Sequence, residues 1–147
     1  MRPKKVARVR RLVEALEQRM CLAVLVELDS GLLAVTGDAA GAIDVNVVEV
    51  GVGPDVALHL QVSESGLPVD SFPLADVASG LQLQLEGTGV DANDTVSVDL
   101  AGQTLPRISA DLGEGDNSFT LSNANINGSV SVRGNDGADT VLVNDTV

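Results

Sequence analysis

From residue 43 onward apolar and polar residues alternate in short runs, and this period of two restricts the fold more than any other feature of the chain. Ile43, Val45 and Val47 alternate with Asp44 and Asn46, Leu58, Leu60 and Val62 with His59 and Gln61, and Leu81, Leu83 and Leu85 with Gln82 and Gln84. Val96-Val98-Leu100, Ile108-Ala110-Leu112, Phe119-Leu121, Val130-Val132 and Val141-Val143 follow the same rule. Successive side chains of a strand point to opposite faces, so each run is a strand with one face in a core. After Val47 the parity flips to Val48, Val50 and Val52, which predicts a bulge or a strand buried on both faces. Gly-, Asn- and Asp-rich turns separate the runs, as in Gly37-Asp38-Ala39-Ala40-Gly41, Gly87-Thr88-Gly89 and Gly113-Glu114-Gly115-Asp116-Asn117. The stretch from Pro54 to Ser79 is less regular, and Pro68 and Pro73 mark a loop or an edge connection.

In the second half turn and strand recur together. Asp94-Thr95-Val96, Asn117-Ser118-Phe119 and Asp139-Thr140-Val141 align at offsets of 23 and 22 residues, and Ile108-Ser109-Ala110 aligns with Val130-Ser131-Val132 at 22. The expected fold is all-β, a parallel β-helix or solenoid of about 22-residue coils preceded by a basic amphipathic helix. An Ig-like β-sandwich is the alternative, since strands every 8 to 12 residues or so also suit it. Antiparallel pairing between 108–112 and 118–122 would be its mark. Two domains are expected: a basic export or targeting segment over 1–26 and an acidic β-repeat domain over 27–147, truncated at its C-terminal end. An uncapped last coil would leave room for self-association.

Charge divides the chain in the same place. Seven of the nine cations lie in the first 19 residues, while residues 20–147 hold two cations against 19 acids, a net charge of -17. The basic segment carries Val6, Val9, Val13, Leu16 and Met20 at helical spacing, with Arg8, Arg11 and Arg19 on the other face. An acidic body does not bind nucleic acid by neutralising phosphates. Phe72 and Phe119 are the only aromatic residues, which argues against a stacking platform for sugars or bases. No apolar run approaches the roughly 20 residues needed to span a bilayer. A single cysteine, Cys21, excludes an intrachain disulfide and a multi-cysteine zinc site. His59 is the only histidine and falls on the polar phase of its strand.

Two local resemblances add to this. Arg10-Arg11-Leu12-Val13-Glu14-Ala15-Leu16-Glu17-Gln18-Arg19-Met20-Cys21-Leu22-Ala23 resembles the N-terminal element of planctomycete-type extracellular proteins, with Met20-Cys21-Leu22 replacing the usual leucines. That resemblance implies export or surface display and no reaction. Gly134-Asn135-Asp136-Gly137-Ala138-Asp139-Thr140-Val141-Leu142 resembles one nonapeptide of the calcium-binding RTX repeats, and Gly113 to Phe119 is a degraded second copy with Asn117 in place of the aspartate. The resemblance makes Asp136, Asp139 and Asp116 the candidate metal residues and calcium the candidate ion. Calcium takes six to eight oxygen ligands, roughly, which one turn does not supply, and turns recruit Gly and Asp without any ion. No cofactor is required. The expected function is an exported, non-enzymatic β-solenoid module of a surface or secreted protein, adhesive or scaffolding, whose partner is a cell-surface or matrix component. The alternatives are an N-terminal fragment of a β-helical polysaccharide lyase or hydrolase, and an Ig-like binding module.

Overall fold

The computed structural model describes residues 24–39, 41–86 and 93–147. Eleven strands follow one another: β1 (Val24–Asp29), β2 (Leu32–Gly37), β3 (Ile43–Val50), β4 (Ala57–Glu64), β5 (Leu67–Pro73), β6 (Gly80–Leu85), β7 (Thr95–Asp99), β8 (Thr104–Asp111), β9 (Ser118–Ser122), β10 (Asn125–Arg133) and β11 (Thr140–Asn144). Two pairs of strands, β1–β2 and β4–β5, are closed into hairpins by Ser-Gly pairs. Asp29 faces Leu32 across Ser30-Gly31, and Glu64 faces Leu67 across Ser65-Gly66. Both residues of each pair have positive φ, which gives the two-residue turn whose twist matches that of the flanking strands.

The strands form two sheets, β1-β2-β6-β8-β10 and β11-β9-β7-β3-β4-β5. From β6 onward successive strands alternate between the sheets, and each lies parallel to its neighbours. In the first sheet Leu33, Leu81, Ile108 and Val130 stand side by side, as do Val35, Leu83, Ala110 and Val132. In the second sheet Ile43, Val96, Phe119 and Val141 form one row, and Val45, Val98, Leu121 and Val143 another. The inner members of these rows are fully buried and make one core between the sheets. Each Leu or Val withdrawn from water contributes about 1.5–3 kcal/mol. The rows end in partial exposure at Val130 (39 %), Val141 (50 %) and Val143 (51 %).

Several expectations are corrected. The molecule is not a parallel β-helix or solenoid of uniform 22-residue coils: its two sheets are mixed, with no closed solenoid. Antiparallel pairs β1-β2, β3-β4 and β4-β5 occupy one end of the molecule. The parallel partners there are also unequally spaced, Leu33 pairing with Leu81 and Leu81 with Ile108, and the first interval is the longer because β4 and β5 intervene between β3 and β6. The offset of 22 holds only for pairs such as Ile108 with Val130 and Phe119 with Val141. Two layers over one core are what the structure shares with the sandwich alternative. β8 and β9 lie in different sheets, so 108–112 and 118–122 do not pair. The basic helix expected over residues 1–26 falls mainly on residues 1–23, outside the described residues. The boundary at 26 cuts into β1, whose Val24 and Val26 are core residues. The bulge expected after Val47 is absent: β3 and β4 pair without a break from Ile43–Glu64 to Val50–Ala57. β7 accompanies β3 only over Ile43 to Asn46, so beyond that point the ribbon leaves the core and loses the need for one buried face. Pro68 and Pro73 belong to β5, an edge strand, where their missing N–H groups break no ladder.

Candidate functional site

The polar residues of interest gather in the turns that lead into β7, β9 and β11. Consecutive parallel strands place Asp94, Asn117 and Asp139 one above another, and Asn93, Asp116 and Ala138 beside them. Asn117 Oδ1 accepts the backbone N–H of Asp94 at 2.8 Å, while the N–H of Asn117 donates to Asp139 Oδ1 at 3.1 Å. Asn117 Nδ2 donates back to the carbonyls of Gly113 and Gly115 at 3.3 and 3.2 Å. In the outer column Asn93 Oδ1 accepts the N–H of Asp116 at 2.8 Å, and Asp116 Oδ1 accepts the N–H of Ala138 at 2.7 Å. Backbone bonds link the same turns, Ser118 N–H to Asp94 O and Thr140 N–H to Asn117 O, both 2.8 Å. The side chains thus satisfy turn N–H groups that no ladder reaches.

The glycines of the RTX-like turn have a steric cause. A Cβ on Gly134 would fall on the Asp139 carboxylate, and one on Gly137, at φ +140°, would fall on the Gly115 carbonyl. Close stacking of one turn on the next therefore demands glycine at 137, whereas the obstacle at 134 is a side chain of the same turn.

The three candidate metal residues do not converge. The carboxylates of Asp116 and Asp139 each accept a backbone N–H, and Asp136 contributes its main-chain carbonyl to Gly115 N–H at 2.8 Å. Among the described residues no group of three or more His, Cys, Asp or Glu is disposed to hold a metal ion. A shallow cleft of about 290 Å³ lies on a neighbouring corner, lined by Gln84, Glu86, Asp111, Glu114 and Asn135. Among the described residues it gathers three carboxylates, of Glu86, Asp111 and Glu114.

Asp94 is the electrostatic exception. It is 5 % exposed and its Oδ2 has no hydrogen-bond partner among the described residues. Burial, and next the charge of Asp38, push its carboxyl up to about 6. Sequence reasoning aligned Asp94 with Asn117 and Asp139 without marking it as functional. The alignment placed it in the stacked column, and its burial follows from β7 being an inner strand, flanked by β9 and β3. His59, expected to face solvent, is instead half-buried, and its Nδ1 is enclosed without a partner among the described residues.

A second polar column caps the far ends of the same strands. Ala101, Asn123 and Asp145 all take positive φ, at 49°, 48° and 45°. Asn123 Nδ2 donates to Asp99 Oδ2 at 3.1 Å, and Asn125 Nδ2 to the Gly102 carbonyl at 2.7 Å. Asn and Asp tolerate this conformation because their side chains bond locally. No protein-family model matches the chain, and neither the curated proteins nor the solved structures contain a match to it. The export-element and RTX resemblances accordingly rest on the residues that carry them.

Proposed function

We propose that this chain is a non-enzymatic β-sheet module of an exported or cell-surface protein, serving as a scaffold or adhesive surface towards a cell-surface or matrix component. The observation that supports this reading is the use made of the polar turn residues. Asn93, Asp116, Asn117 and Asp139 direct their oxygens at backbone N–H groups of the adjacent turn, so the groups richest in chemistry serve the framework. Export rests on the basic segment that precedes an acidic body.

The test uses the full chain carrying a C-terminal epitope in the organism that encodes it. The tag is expected in the medium or accessible to protease on intact cells. Retention in the cytoplasm would overturn export. Release of unsaturated or reducing sugars from acidic polysaccharides by the purified chain would overturn the non-enzymatic half.

A further inference from the structure

We draw no further inference here: the strongest candidate, the buried carboxylate of Asp94 with Asp38 nearby, in the turn that leads into β7, repeats the place in the column of the RTX-like Asp139 and belongs to no group of three or more ligating side chains among the described residues.

Discussion

At Asp94 the chain keeps a carboxylate where its own pattern offers a better choice. The next turn has Asn117 in the equivalent place, and that amide both accepts a backbone N–H and donates to two carbonyls. Asp94 instead holds an oxygen without a partner among the described residues, near the charge of Asp38. Its carboxyl sits at about 6 in the folded protein against 3.8 when unfolded, so the folded state binds the proton more tightly. Stability from this group is complete below pH 3.8 and is lost as the pH rises through about 6. Asp94→Asn should flatten that decline in urea titrations. At pH 7.5 it should be more stable than the parent by about 1–2 kcal/mol, the shift being discounted for partial access to water. Equal slopes for parent and variant between pH 4 and 7 would contradict this. Glycine offers a contrast of the same kind. Gly137→Ala drives a Cβ into the Gly115 carbonyl, whereas a Cβ at Gly53 meets nothing within 4 Å. Denaturation should show Gly137→Ala costing about 3 kcal/mol and Gly53→Ala about 1, because only the first adds a clash to the backbone strain.

Individual strands were legible to differing degrees, and the reasons are physical. Strands β6, β7 and β9 keep strict alternation because each has one face on the common core, whereas β8 changes phase between Leu105 and Ile108 and Leu142 breaks the alternation in β11. The β1–β2 hairpin escaped notice because Leu22 to Val26 is a continuous apolar run that masks its alternation. Its Ser30-Gly31 turn was the available signal, as was Ser65-Gly66 between β4 and β5. The flipped parity after Val47 has its cause in the ribbon's departure from the core: Val52 at its tip is 88 % exposed. Position in a row also sets the energetic weight of a residue. Phe119 is fully buried between Val96 and Val141, and Phe119→Ala should cost about 3–5 kcal/mol in chemical denaturation. Val141→Ala, in the same row but half exposed, should cost about 1 kcal/mol or less. Comparable losses at the two sites would mean that the outer edge is covered in the monomer.

For the molecule as a whole, the first stretch of chain and the ion question lend themselves to direct tests. Removing residues 1–23 should leave the melting temperature nearly unchanged, since their period is helical and their charge opposite to that of the body, whereas removal through residue 26 takes out the buried Val24 and Val26 and should cost about 2–4 kcal/mol. Calcium titration should show no binding or binding weaker than about 0.1 mM, because Asp116 and Asp139 are already engaged by N–H groups. A tight stoichiometric site that survives Asp139→Ala would refute that. What the sequence by itself determined is that the chain folds into strands, and which residues of β6, β7 and β9 enter the core. Period two sorts residues between two faces by local geometry alone, and a repeat of 22 brings Phe119 to Val141 and Ile108 to Val130 wherever no insertion intervenes. The candidate metal residues were legible as turn residues for the same local reason. Only the tertiary structure decided that the sheets are mixed, because a strand's partner and direction depend on the hairpins β1–β2 and β4–β5 filling one end, and alternation is identical for parallel and antiparallel neighbours. It alone decided, too, that the aspartates face backbone N–H groups instead of one another, since turns 22 residues apart acquire a common geometry only when the strands between them have stacked.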